Sequence, residues 1–201
     1  MLLPYLHKNL KEAGCDEAGR GCLAGRVYAA AVILPYGYTN THLNDSKKLS
    51  PTQRYTLRAV IERDAEAWSI GFAEAEEIDK INILEASILA MHRAIKGLRV
   101  TAGHLLIDGN RFHPYQDIPY TTVVKGDGKY MSIAAASILA KTYRDDYMLA
   151  LHAEYPCYDW FHNKGYPTLK HREAVRQYGL SPYHRKSFTS RYIQPDLGLW
   201  G

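Results

Sequence analysis

Residues 14–26 read Gly14-Cys15-Asp16-Glu17-Ala18-Gly19-Arg20-Gly21-Cys22-Leu23-Ala24-Gly25-Arg26, and an apolar run from Val27 to Leu34 follows, closed by Pro35. The stretch predicts a strand over 12–17 that ends at two adjacent carboxylates, then a tight Gly-Arg-Gly turn. A second, buried strand over 26–34 comes next, because the run is short, rich in Val, Ile and Ala, and bounded by Gly25 and Pro35. Asp16 reads as the first ligand of a divalent-metal site. The Gly-Arg-Gly main chain is suited to lie against a nucleic-acid strand, because glycine lets a bulky ligand come close to the backbone.

Downstream, Ser50 followed by Pro51 predicts a helix start, with the helix running to about Arg63. Residues 68–73 predict a strand, and the acidic stretch 74–79 a short helix. Ile83, Leu84, Ile88, Met91 and Ile95 recur at helical spacing, so 82–97 predicts a third helix ended by Gly97. Short apolar strands over 104–107 and 120–124 end at Asp108-Gly109-Asn110 and Lys125-Gly126-Asp127. A long Ala-rich helix over 132–155 has small side chains that let it press onto a sheet. An aromatic loop over 156–167, a polar outer helix over 168–178 and a tail complete the chain. Strands joined by tight loops, then alternating with helices, predict an α/β layered fold.

Three places thus put an acid beside glycine at the end of an apolar strand: Asp16 with Glu17, Asp108, and Asp127. Strand ends of an open α/β sheet are where sites tend to lie. Like-charged carboxylates in one small space raise each other's pKa, and a bound cation removes that conflict. Oxygen-only ligands favour Mg2+ or Mn2+ over zinc. An Asp-Gly pair at a strand end is also an ordinary turn, so spacing alone leaves both readings open.

Composition bounds the rest. The 201 residues carry a net charge of +4 and 46% apolar residues, which permits a polyanionic partner and a sizeable core. No apolar run reaches membrane-helix length, and Met1-Leu2-Leu3-Pro4 is not the start of a signal peptide. Three unpaired-looking cysteines, Cys15, Cys22 and Cys157, make a reducing cytoplasm the expected setting. Sixteen tyrosines against four phenylalanines point to half-wet aromatic positions, of which base or sugar stacking is one use.

Nine blocks in order are similar to the motif series of bacterial ribonuclease HII, the type 2 ribonuclease H. They are Asp16-Glu17-Ala18-Gly19-Arg20-Gly21, residues 44–50 (Asn-Asp-Ser-Lys-Lys-Leu-Ser), Asn82-Ile83-Leu84, Ile107-Asp108-Gly109-Asn110, Lys125-Gly126-Asp127, residues 135–141 (Ala-Ala-Ser-Ile-Leu-Ala-Lys), Arg144-Asp145, residues 162–168 (His-Asn-Lys-Gly-Tyr-Pro-Thr) and His184-Arg185-Lys186-Ser187-Phe188. The resemblance implies a ribonuclease H-like fold over 1–201, with a mixed central sheet flanked by helices. It makes residues 156–190 a C-terminal helical, substrate-binding portion and 191–201 a tail. It implies a metal-dependent endonuclease acting on the RNA strand of RNA–DNA hybrids and 5′ of single ribonucleotides in duplex DNA, leaving 3′-hydroxyl and 5′-phosphate ends.

By the same resemblance, Asp16, Glu17, Asp108 and Asp127 are the catalytic carboxylates and hold Mg2+ or Mn2+, two ions during catalysis. Gly19, Arg20 and Gly21 are expected to contact the ribose 2′-hydroxyl, and Tyr166 to stack on the adjacent deoxyribose. Ser46 and Lys47 are expected to hold phosphates, as are His184, Arg185 and Ser187. Lys141 and Arg144 share a helix face and are expected to pair with acids. Cys22 and Arg26 stand where many relatives carry proline, which predicts altered loop stiffness. The tail Gln194-Pro195-Asp196-Leu197-Gly198-Leu199-Trp200 resembles peptides that bind the replication sliding clamp. Nothing demands more than a monomer. The competing readings are a type 1 enzyme or junction resolvase, and a non-enzymatic nucleic-acid-binding protein. The last needs no carboxylate cluster, since acids repel phosphate unless a metal is bound.

Overall fold

The computed structural model describes residues 2–44 and 46–193, with the main chain alone for 190–193. Five strands form one mixed sheet in the order β3-β2-β1-β4-β5. They are β1 (Glu12–Ala18), β2 (Val27–Ile33), β3 (Ala67–Ala73), β4 (His104–Asp108) and β5 (Tyr120–Val123). β1 and β2 pair antiparallel, as do β2 and β3, whereas β1–β4 and β4–β5 are parallel. The parallel set decides where chemistry can sit. β1, β4 and β5 all end at the same edge, so Asp16, Asp108 and the turn after β5 come out side by side.

The helices are α1 (Pro51–Asp64), α2 (Ala75–Lys96), α3 (Met131–Glu154), α4 (Trp160–Asn163), α5 (Leu169–Tyr178) and α6 (Lys186–Ile193). Every residue of β2 is buried, as expected of a strand covered on both faces. Val27, Ala29 and Ala31 pack with Ile88, Met91 and Ile95 of α2 on one face. Ala30 and Val32 pack with Leu57 and Ile61 of α1 and with Ile138 and Leu139 of α3 on the other. The small residues of α3 do bring it against the sheet. A Cβ on Gly14 would lie 2.2 Å from the Ser132 carbonyl carbon, so only glycine fits that position of β1.

The start of α1 is fixed locally. Ser50 Oγ accepts from the Gln53 main-chain N–H, and the Gln53 side chain accepts from the Ser50 N–H, a reciprocal cap with Pro51 at the first turn. The acidic stretch and the apolar repeat after it share the label α2, yet they are two helices in effect. Asn82 breaks the run with φ 65° and ψ 168°, and its side chain accepts from the N–H groups of Leu84 and Glu85. The predicted separation at 79–82 therefore reflects a physical break.

α4, α5 and the end of α3 enclose a separate apolar cluster of Met148, Leu151, Trp160, Ala174 and Val175. The aromatic stretch 156–167 is more ordered than a loop, holding a 3-10 turn (Pro156–Tyr158) and α4. α6 starts inside the expected C-terminal helical portion and runs into the first residues expected as tail; its first N–H groups, those of Lys186 and Ser187, donate to Asp79. The sliding-clamp expectation for Gln194–Trp200 lies outside the described residues. No helix among them is long and apolar enough to cross a membrane.

Candidate active site

The register that pairs Cys15 with Ile107 continues one step to set Asp16 beside Asp108 at the common strand edge. Asp16, Glu17 and Asp108 line a single cavity of about 260 Å³ together with Gly19, Arg20 and Gly21. Ala18, Ser46, Lys47, Arg54, Ser137, Lys141 and Tyr166 complete the lining. Asp127 is buried in the 3-10 turn Gly126–Gly128, and Lys47 Nζ lies 3.8 Å from its carboxylate. Asp108 is tied to that turn, because its Oδ1 accepts from the Gly126 N–H at 2.6 Å.

Asp16 is 5% exposed and its Oδ1 accepts from the Glu17 N–H at 2.7 Å. Burial, then the Glu17 and Asp108 carboxylates, hold the Asp16 carboxyl well above the usual carboxylate range, against the hydrogen bond from Ser137. Burial also raises Glu17, opposed by Arg20, whose Nη1 donates to Glu17 Oε1 at 3.2 Å. Among the described residues no three acid, His or Cys side chains form a ready metal cage. Arg20 on Glu17 and Lys47 beside Asp127 instead place internal cations on the acids. The donor set nonetheless fits a hard divalent ion. It is all oxygen, and it holds acids that resist ionising together until positive charge is supplied.

The Gly-Arg-Gly turn opens on the cavity through Arg20 and Gly21, both exposed, while Gly19 is buried with φ 97°. A Cβ at Gly19 would sit 2.0 Å from Arg144 Nε. Tyr166, which lines the same cavity, is 41% exposed, with the Lys141 ammonium and Arg144 guanidinium each 5.9 Å from its ring centre. The Tyr166 carbonyl accepts from His171 Nδ1 at 2.9 Å, while Trp160 Nε1 donates to His171 Nε2 at 3.0 Å. His184 Nε2 reaches the same His171 nitrogen at 3.1 Å. Both rings are neutral: burial lowers His171, and burial together with His171 pushes His184 down to about 3.

Of the three phosphate expectations beyond Ser46 and Lys47, two fall on buried side chains and the third lies outside the cavity lining. His184 is 2% exposed and spends Nδ1 on Ser181. Arg185 is 0% exposed and donates to the carbonyls of Gly25 and Arg20, each at 2.9 Å. Ser187 is exposed but caps α6 through Asp79, away from the cavity. Ser46 does line the cavity, yet its buried hydroxyl is 2.8 Å from that of Ser137, so it is part of the Asp16 support. Lys141 pairs with an acid as expected, with Asp145 at 2.7 Å. Arg144 does not: it donates to the carbonyls of Arg26, Lys164 and Ala24.

Ser137, Arg54 and Lys141 are cavity residues that the sequence reading left without a role there. Ser137 and Lys141 had a signal, being polar residues one turn apart in the Ala-rich first half of α3. Arg54, which donates to the Ser46 and Leu49 carbonyls, had none. Cys22 is fully buried with its Sγ against the Lys164 carbonyl. Arg26 is ion-paired with Glu74 at 2.6 Å and covers the Phe72 ring at 4.1 Å.

A family model described as Ribonuclease HII matches residues 13–191, nearly the whole described chain. The chain belongs to the ribonuclease HII family. It is 68% identical over 199 residues to the ribonuclease HII of Phocaeicola vulgatus, covering 99% of each chain. It is 71% identical over 188 residues to that of Bacteroides fragilis, covering 94% of each. Membership in the ribonuclease HII family makes it an endoribonuclease of the ribonuclease H type.

Solved structures agree on the fold. Ribonuclease H2 of Pyrococcus horikoshii OT3 superposes with a TM-score of 0.76 at 23% identity, over 92% of this chain and 99% of that one. A Bst-RNase HIII solved in complex with Mn2+ gives 0.71 at 15% identity, over 92% and 69%. The ribonuclease H-like architecture expected from the sequence, a mixed sheet flanked by helices with helices at the C-terminus, is therefore the observed one.

Proposed function

We propose that this member of the ribonuclease HII family hydrolyses the phosphodiester on the 5′ side of a ribonucleotide, both within RNA–DNA hybrids and at a single ribonucleotide in duplex DNA. The products carry 3′-hydroxyl and 5′-phosphate ends. One observation carries the reading: Asp16, Glu17, Asp108, the Gly19–Gly21 turn and Tyr166 all line one cavity. A ribonucleotide held by the turn has its scissile phosphate at the carboxylates.

Each residue then has a task set by its chemistry. The main chain of Gly19–Gly21 meets the 2′-hydroxyl, the one group that separates RNA from DNA. The exposed Tyr166 ring stacks on the neighbouring deoxyribose. Lys47 and Lys141 hold phosphates by charge, positioning the duplex without reading its sequence. Asp16, Glu17, Asp108 and Asp127 hold Mg2+ or Mn2+, two ions during catalysis. The chemistry such ions supply is activation of a water and neutralisation of charge at the leaving 3′ oxygen. Residues 156–190 serve as the substrate-binding portion by holding Tyr166 in place.

The test compares duplexes carrying one and four ribonucleotides in the same sequence with Mg2+ or Mn2+. Cutting of both supports the proposal. Cutting of four alone points to type 1 behaviour instead. The tail Gln194–Trp200 is proposed as a sliding-clamp peptide on its sequence pattern. Truncation after Arg191 should abolish retention on immobilised clamp, and equal retention would sink that idea.

A further inference from the structure

The two loops that would read the ribonucleotide come from distant parts of the chain, and two arginines join them. Arg144 is 0% exposed. Its Nη1 donates to the Lys164 carbonyl at 2.8 Å, two residues before Tyr166. Its Nη2 and Nε donate to Ala24 and Arg26 carbonyls, each at 3.1 Å, just after the Gly-Arg-Gly turn. The same guanidinium fills the space beneath Gly19. Arg185 completes the set: its Nη1 donates to the carbonyl of Arg20 itself, and its Nε to that of Gly25. Main-chain bonds run the same way, with Leu23 N–H donating to the Gly165 carbonyl and Arg185 N–H to that of Leu23.

These are costly groups to keep inside. All of their hydrogen bonds among the described residues go to main-chain carbonyls, and Arg185 Nη2 is buried without a partner. Removing a cation from water without a carboxylate to meet it is unfavourable, and apolar side chains of similar size would pack the same space at less expense. What a planar guanidinium offers, and an apolar chain or an ammonium does not, is several donors in fixed directions toward carbonyls on separate segments.

We infer that Arg144 and Arg185 form a buried clamp that sets the spacing between the Gly19–Gly21 turn and the Tyr166 loop. They are specificity-determining positioning residues for reading the 2′-hydroxyl. This rests on the proposed role of that turn and of Tyr166. Neither arginine touches the substrate. Each acts by holding main-chain groups at the distance a ribose requires, which a loosened loop pair would miss while still binding duplex through its surface charge.

Binding separates this role from general stability. The Asp16→Asn protein, unable to cut, is titrated by fluorescence anisotropy with a labelled duplex carrying one ribonucleotide and with the same duplex in all-DNA form. The ratio of the two affinities is the readout. Arg144→Lys and Arg185→Lys are made in that background and measured at a temperature where circular dichroism shows each folded. Val175→Ala, which thins the same C-terminal apolar cluster without touching a clamp carbonyl, is the stability control. The clamp predicts at least a tenfold fall in the ratio for the lysine variants, with all-DNA affinity within twofold and the ratio kept by Val175→Ala. A ratio kept by both lysine variants, or lost equally by Val175→Ala, overturns it. If Asp16→Asn itself shows no preference for the ribonucleotide, the reading of the turn and Tyr166 fails first, and the clamp's role with it.

Discussion

At the scale of single residues, ionising Asp16 works against folding in the metal-free protein. Its folded-state pKa is raised above the ordinary 3.8, so its contribution to stability is fully present below that value and is lost as pH rises through the folded one. Asp16→Asn removes the charge while keeping a hydrogen-bonding side chain of the same size. The metal-free variant is expected to melt higher than wild type at pH 7, by about 2–4 °C for each kcal/mol relieved, although it no longer cuts. Calorimetry in EDTA checks this, and a lower melting temperature would show that the carboxylate is held by more than burial and repulsion describe. Ser137→Ala works in the opposite sense. It removes the hydroxyl that meets both Asp16 and Ser46, and should cost about 1 kcal/mol in denaturant titrations. The placing of Asp16, Glu17 and Asp108 at strand ends was legible because apolar runs stop there close to glycines, a pattern local in sequence. The interior role of Arg185 was not. Nothing near it in the chain shows that its partners are the carbonyls of Arg20 and Gly25.

At the scale of elements, the C-terminal helices hold a neutral histidine pair under the Tyr166 loop. The folded-state pKa of His184 is lowered from 6.5 to about 3, and that of His171 is also lowered. The unfolded chain therefore takes up protons first as pH falls, and stability present above about 6.5 is lost on the way down toward about 3. For His184 the loss should approach about 1.4 kcal/mol per pH unit between those two values. Denaturant titrations at pH 7 and pH 5 measure it, and His184→Asn should flatten the slope. An unchanged slope would mean that the pair is not neutral in the fold. β1, β2 and the helices with repeating apolar faces were readable, because their periods and breakers lie within the element. Asn82 marked its own break through a side-chain cap. α6 was missed for a physical reason: the groups that open it are satisfied by Asp79, on the far side of the sequence, so its start carries no local cap.

At the scale of the molecule, the sheet topology does what no single motif can. Parallel pairing of β1 and β4 brings Asp16, Glu17 and Asp108 to one cavity, β5 sets the turn holding Asp127 next to Asp108, and Lys141 and Tyr166 from α3 and the C-terminal portion line the same cavity. The net charge of +4 suits a polyanion, and Lys47 stands out into the opening with 85% of its side chain exposed. Lys47→Ala should weaken duplex binding about equally for every sequence and reduce the slope of log affinity against log salt by about 0.9. A slope unchanged by the substitution would place Lys47 off the phosphate path. One cavity is thus proposed both to read a ribonucleotide and to cut beside it. The most direct test is incubation of an end-labelled duplex DNA carrying one ribonucleotide with wild type, Asp16→Asn and Asp108→Asn in Mg2+ or Mn2+. The expected result is a single cut on the 5′ side of the ribonucleotide by wild type, none in EDTA, and none by either variant although both still bind. Cutting that persists in both variants, or a wild-type enzyme that leaves this duplex intact while degrading an RNA–DNA hybrid, would contradict the account.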